Sequence, residues 1–239
     1  MKAIILAAGR GSRMKKLTDE SPKCLIELYG KPLIELQLEA MREANISEIA
    51  VVSGYKREML AKYGLVEFYN SRWFNTQMVK SLTEAEEWLE KDTCIVSYSD
   101  IFYDATPIKS LININSDIAI TYDPNWLSLW SKRFDDPLID AETFRLNIEY
   151  ELIEIGGKPK SVDEVQGQYM GLLRFTPNGW QVVSNILKAM PAKLIDTIDM
   201  TSLLQKVIAQ GNAKIKGIPV NCSWGEIDTG KDLSLYQNR

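Results

Sequence analysis

The pattern that most restricts this fold is a recurring pair: a short, nearly continuous apolar run, then a stretch with helical spacing. Apolar runs stand at Ala3-Ile4-Ile5-Leu6, Ile49-Ala50-Val51-Val52, Cys94-Ile95-Val96 and Ile118-Ala119-Ile120. Each has the length of a strand and lacks the alternation of a half-solvated one, so each reads as a strand covered on both faces. After the first, Leu33, Ile34, Gln37, Leu38, Met41 and Ala44 recur at helical spacing, with Glu39, Arg42 and Glu43 on the opposite face. Further helices are expected at Arg57 to Tyr63, about Met78 to Glu90 and Pro107 to Ile112, and a further strand at Leu65 to Tyr69. Buried strands alternating with helices predict an α/β chain with a mostly parallel sheet flanked by helices.

The rhythm changes after Asp123-Pro124, where Trp126, Trp130 and Arg133 lead into two runs, Thr143 to Ile148 and Tyr150 to Ile155, with no helix between them. This predicts a small antiparallel insertion. A strand at Tyr169 to Phe175, helices at Asn178 to Met190 and Met200 to Gln210, a strand at Lys214 to Val220 and a turn and helix from Gly225 complete the chain. No repeat or Gly/Pro/Ser-rich linker interrupts it, so residues 1–239 are expected to form one domain.

Composition excludes several function classes. A net charge of −4 gives no general reason to expect nucleic acid or a membrane surface as partner. Cys24, Cys94 and Cys222 lie far apart with no Cys-x-x-Cys pair, which argues against a disulfide framework or zinc site and suits a reducing, cytoplasmic setting. The chain contains no histidine, so every histidine-dependent nucleophile, general base and metal ligand is excluded. Chemistry must rest on carboxylates, Lys, Arg and hard metal ions.

The glycine stretch Leu6-Ala7-Ala8-Gly9-Arg10-Gly11-Ser12-Arg13 follows the first strand, at the sheet edge where α/β proteins bind ligands. It lacks the Gly-Lys-Ser/Thr of a P-loop, and Met14 occupies the third glycine position of a dinucleotide fingerprint. What remains is a backbone able to turn sharply around an anion, with Arg13, Lys15 and Lys16 close behind, or an ordinary turn with a solvated basic patch.

Three further positions carry candidate chemistry. Asp100 ends the strand Val96-Ser97-Tyr98-Ser99-Asp100, and Asp228 lies in Trp224-Gly225-Glu226-Ile227-Asp228-Thr229. Each is a turn or cap residue by default, and each is also suited to hold Mg²⁺ beside phosphates. Lys23, between Pro22 and an apolar run, stands at the edge of buried structure, where an ammonium could neutralise a reacting phosphoryl group. Lys158 and Lys160 form a second basic turn, and the tryptophans either pack the core or cage a quaternary ammonium group.

Taken together, the glycine stretch, Pro22-Lys23, Gly30-Lys31-Pro32-Leu33-Ile34 and Asp100 resemble the signature of nucleotidyltransferases that join an NTP to a small phosphorylated acceptor. Met78-Val79-Lys80-Ser81-Leu82, Gln168-Tyr169-Met170-Gly171-Leu172 and Gly225-Glu226-Ile227-Asp228-Thr229 resemble the phosphocholine cytidylyltransferase group, which includes phosphonate and phosphoglutamine relatives. The resemblance implies a Rossmann-like mostly parallel sheet flanked by helices, the nucleotidyltransferase fold. It implies a Mg²⁺-dependent enzyme with CTP and a small phosphate or phosphonate acceptor as partners, as monomer or homodimer. Leu6, Ala7, Ala8, Gly9 and Gly11 would meet the nucleotide, as would Gln77 and Ser81, although relatives often carry Asn where this chain has Gln77. Arg13 would hold the β- and γ-phosphates, Lys23 would bridge the α-phosphate and the acceptor, and Asp100 and Asp228 would bind the metal. Lys160, Gln168 and Trp130 would line the acceptor pocket. A sugar-1-phosphate nucleotidyltransferase and a noncatalytic nucleotide-binding scaffold are the competing readings.

Overall fold

The computed structural model describes residues 1–237. Strand β1 (Lys2–Ala7) is buried beyond its first residue. A small hairpin of β2 (Glu27–Leu28) and β3 (Lys31–Pro32) turns into α1 (Leu33–Glu43), whose inner face buries Leu33, Ile34, Gln37, Leu38 and Met41. Strand β4 (Ile49–Ser53), a 3-10 segment at Arg57–Tyr63 closed by Gly64, and β5 (Val66–Tyr69) follow as the sequence predicts. The expected helix from Met78 to Glu90 is instead two, α2 (Met78–Thr83) and α3 (Glu86–Lys91). Val79, Leu82, Ala85 and Leu89 are all buried, so the apolar spacing runs unbroken across a kink that it cannot reveal.

Strand β6 (Cys94–Tyr98) is followed at once by a short strand, β7 (Ile101–Tyr103), then by α4 (Ala105–Asn113) and β8 (Ile118–Asp123). The tryptophan-rich segment forms a helix, α5 (Trp126–Arg133). The insertion is the expected antiparallel hairpin, β9 (Phe144–Leu146) with β10 (Leu152–Ile155). After it come β11 (Gln168–Phe175), α6 (Pro177–Lys188), a short unanticipated α7 (Ala192–Thr197), α8 (Met200–Gln210) and β12 (Ile215–Pro219). Where a turn and helix were expected from Gly225, the chain first makes strand β13 (Trp224–Glu226), and the helix is α9 (Gly230–Gln237).

Seven strands form one sheet in the order β12-β8-β11-β6-β1-β4-β5. All neighbours are parallel except β11, which runs antiparallel to both β6 and β8. Strand β1 lies inside the sheet, with β4 and β5 on one side and β6 on the other, so the connections diverge and open a crevice at the carboxyl ends of β1 and β6. Leu6 and Tyr98 are paired there, which brings the glycine loop beside the turn that carries Asp100.

A second, two-stranded sheet completes that corner. β7 and β13 pair antiparallel, with Glu226 opposite Ile101, and the Ile227 amide donates to the Asp100 carbonyl at 2.9 Å. Glycine is required at 225, since a Cβ there would lie 2.4 Å from the Tyr236 ring that packs down from α9. Residues far apart in sequence, Asp100 and Asp228, are thereby strapped together by backbone. Among the described residues no helix is long and apolar enough to cross a membrane.

Candidate active site

Gly11 adopts a left-handed conformation, φ 70° and ψ 51°, which glycine enters without a steric penalty. A Cβ on it would stand 2.7 Å from Lys23 Cδ, so the glycine also makes room for the lysine stem passing beneath the loop. The turn is closed by the Met14 amide donating to Gly11 O at 2.9 Å and by the Thr18 hydroxyl at 3.1 Å. Just past the end of β4, a Cβ on Gly54 would meet the Ala8 carbonyl at 2.5 Å, and that carbonyl accepts from the Tyr55 amide. Lys15 and Lys16 are exposed, and Arg10 pairs with Asp19, whereas Arg13 reaches inward and donates to Asp228 Oδ1 at 2.8 Å.

Lys23 is 6% exposed, and its Nζ lies 2.7 Å from Asp100 Oδ2 and 2.6 Å from Asp228 Oδ1. Burial by itself would lower the lysine pKa, but the two carboxylates outweigh it and hold the ammonium above its ordinary value. Burial likewise acts to raise Asp228, and Lys23 with Arg13 overcomes it, leaving that carboxyl below the usual range. Both groups are therefore charged at neutral pH.

Behind this trio lies a buried cluster, Arg133 with Glu226 and Asp232, that no sequence motif announces. Arg133 on α5 is fully buried and donates to Glu226 at 2.9 Å and to Asp232 at 2.9 Å, with its guanidinium 4.6 Å from the Trp130 ring centroid. Asp232 in turn accepts from the Thr229 amide and hydroxyl at 2.8 and 2.9 Å, a capping box that fixes the start of α9 just after Asp228. Glu226 is pushed up to about 8 by burial and by the charge of Asp228, against the pull of Arg133. Asp100, Glu226 and Asp228 each offer a carboxylate oxygen within 4.8 Å of the others. Asp100 Oδ1 is buried without a partner among the described residues, so this all-oxygen donor set fits a hard divalent cation.

Two clefts meet at these charges. The first, about 260 Å³, is lined by Leu6, Ala8, Gly9, Gly11, Arg13 and Lys23 on the loop side and by Gln77 and Ser81 opposite. Ala7 is buried in β1 and does not line it. Trp73 lines it too, a residue that the sequence marks only as an aromatic in a loop following a strand. The Ser81 hydroxyl accepts from Asn70 Nδ2 at 3.0 Å, an amide that also donates to Thr76 and so orders the cleft's far wall.

The second cleft, about 220 Å³, shares Arg13, Met78 and Tyr98 with the first. Gln168 lines it, with Asp140, Glu142, Asp199, Glu226 and Asp228, so its wall is strongly acidic. Gly171, at φ 75°, admits this shape: a Cβ there would lie 2.7 Å from the Tyr98 ring, and the β11 ladder shifts register between Tyr169 and Leu173. Two expected acceptor residues are placed elsewhere. Trp130 is fully buried among Trp126, Trp224 and Arg133, and reaches the cleft only indirectly by donating to Asp140 at 3.2 Å. Lys160 is exposed on a bend, outside both clefts, because its turn closes on Glu164 through its own backbone amide. A separate, largely apolar cavity of about 700 Å³ beside α8 shares no lining residue with either cleft.

A glycine loop and a charged lysine set between two clefts, one of them acidic, suit an enzyme that brings a nucleotide and a second small molecule face to face. Residues 3–144 match the model of the MobA-like NTP transferase domain, and the chain belongs to that family: it is a nucleotidyltransferase. Its particular relatives narrow the comparison. The chain is 38% identical over 254 aligned residues to the CTP:phosphoglutamine cytidylyltransferase of Campylobacter jejuni, with 98% of each protein covered. It is 36% identical to the choline-phosphate cytidylyltransferase of Streptococcus pneumoniae over 43% of this chain and 46% of that protein. Among solved structures, the CTP:phosphocholine cytidylyltransferase from Streptococcus pneumoniae superposes with a TM-score of 0.74 at 23% identity, covering 99% of this chain and 97% of that one. The inositol-1-phosphate CTP transferase from T. maritima gives 0.78 at 20%, covering 99% and 93%. These two likenesses show the fold.

Proposed function

We propose that this protein transfers a cytidylyl group from CTP to a small phosphate- or phosphonate-bearing acceptor whose far end carries an amine or ammonium group. The single observation that carries the reading is the acidic second cleft, where Asp140, Glu142 and Asp199 stand with Arg13 the one cation among the described lining residues. Three carboxylates without matching cations attract a positive group. The full-length similarity to a CTP:phosphoglutamine cytidylyltransferase supports CTP as the nucleotide and an amino-bearing acceptor. In this reading CTP occupies the first cleft with its phosphates toward Gly11, Arg13 and Lys23, and Trp73 offers the base a flat apolar face.

An acceptor oxygen attacks the α-phosphorus of CTP in line. A new P–O bond forms as the bond to the β-phosphate bridging oxygen breaks, and its electron pair leaves with pyrophosphate. The attacking oxygen is already ionised near neutral pH, so the lack of histidine is no obstacle. Lys23 supplies positive charge where the transferring group gathers negative charge, and Arg13, most of whose side chain is open to solvent, clamps the leaving phosphates. Mg²⁺, held by Asp100 and Asp228 with Glu226 alongside, would neutralise the triphosphate charge.

The test is an initial-rate matrix of pyrophosphate release, with four NTPs against phosphocholine, 2-aminoethylphosphonate, phosphoglutamine and glucose 1-phosphate. The reading predicts that CTP with one of the first three gives the highest kcat/KM. Preference for UTP or dTTP with the sugar phosphate would replace it, and CTP binding without turnover on any acceptor would favour a scaffold.

A further inference from the structure

We propose that Gln37 is a positioning residue for Asp100, acting through the turn between β6 and β7. Gln37 lies on the inner face of α1 between Ile34, Leu38 and Met41, and is 0% exposed. Its Nε2 donates to Tyr98 O at 2.7 Å and to Ile101 O at 2.6 Å, the carbonyls that bracket Ser99 and Asp100. One amide group thus ties both ends of the turn to a rigid helix.

The cost of this arrangement is visible. Gln37 Oε1 is buried with no hydrogen-bond partner among the described residues, and an unmatched buried acceptor destabilises the fold. Leucine or methionine would continue the apolar stripe without that penalty, so packing alone does not account for glutamine here. Asp100 explains it. Its Oδ2 is held by Lys23, its Oδ1 has no partner among the described residues, and its carbonyl accepts from Ile227. A carboxylate with one open oxygen stays aimed only if its backbone is fixed, and Gln37 fixes the residues on either side. Tyr98, whose ring borders both clefts, is held by the same bond.

The inference rests on the proposed transfer reaction for the role of Asp100, and its test separates the two. Gln37→Met keeps the volume and removes both donors, and Gln37→Glu keeps the shape with donors lost on ionisation. Amide hydrogen exchange over residues 99–103 of the free protein should quicken by about tenfold or more in either variant that folds. With the acceptor that the wild-type protein uses, kcat should fall by about tenfold or more, while KM for CTP moves by less than about threefold. A folded Gln37→Met protein with unchanged exchange in that segment, or with faster exchange and wild-type kcat, would overturn the proposal. Wild-type protein that releases no pyrophosphate would sink the cytidylyl reading instead, and the exchange data would still decide whether Gln37 holds the turn.

Discussion

Truncating Lys23 to alanine would leave Asp100 and Asp228 beside each other in a largely buried corner with their shared ammonium gone. Removing one partner from a buried charge cluster costs about 3–5 kcal/mol, so Lys23→Ala should lower the melting temperature as well as the rate. The expected loss in kcat exceeds about 10²-fold at saturating CTP, as for a donor that serves the transition state. Steady-state kinetics and thermal melting of the same sample check both. Glu142, in the acidic cleft, makes a pH-dependent prediction. Burial raises its pKa, Asp199 and Asp140 add to the rise, and the Thr201 hydroxyl opposes it. A carboxyl raised in the folded state is costless while protonated and destabilises the fold once pH climbs from its ordinary value of 4.5 through the folded one. Glu142→Gln should therefore match wild-type stability near pH 4 and exceed it at neutral pH, measured by melting across that range. Lys23, Asp100 and Asp228, which the structure brings together, stand out in the sequence because each sits beside a recognisable motif. Glu142, Asp140 and Asp199 do not, because they become neighbours only when the segment before the hairpin packs by the start of α8, and the Trp130 ring is spent on Arg133 and the core, outside both clefts.

At the level of elements, two three-residue strands do more to assemble the site than any long one. β7 and β13 carry Asp100 and Asp228 into contact, yet they are too short to declare themselves by periodicity. The long buried strands are legible as apolar runs, and β6 starts at Cys94 as its run does but stops at Tyr98, two residues short of Asp100. The direction of β11 was not legible, because a strand buried on both faces has the same composition whichever way it runs. Unlike these strands, the start of α9 shows in the sequence, as Thr229 and Asp232 have capping-box spacing. Thr229→Ala removes the hydroxyl that donates to Asp232 and should cost about 1 kcal/mol. For a chain of this length that is a fall of about 2–4 °C in melting temperature, read by calorimetry. A larger fall would mean that the cap also holds the β13 corner.

Across the whole molecule, the sheet places two clefts on two sides of one line of charge. The crevice at the ends of β1 and β6 supplies the first cleft, and the start of β11, the segment leading into the hairpin and the start of α8 supply the second. Arg13, Met78 and Tyr98 belong to both, so the clefts meet at these residues, where the proposed reaction would bring the acceptor oxygen to the α-phosphorus. The most direct test is to follow the phosphorus nuclei by ³¹P NMR in a mixture of protein, CTP, Mg²⁺ and an amine-bearing phosphate or phosphonate acceptor. The account predicts that the three CTP resonances give way to free pyrophosphate and a new phosphoanhydride pair joining cytidine and acceptor, with no such change for Asp100→Asn. Release of inorganic phosphate from the γ position, or conversion undiminished in Asp100→Asn, would contradict it.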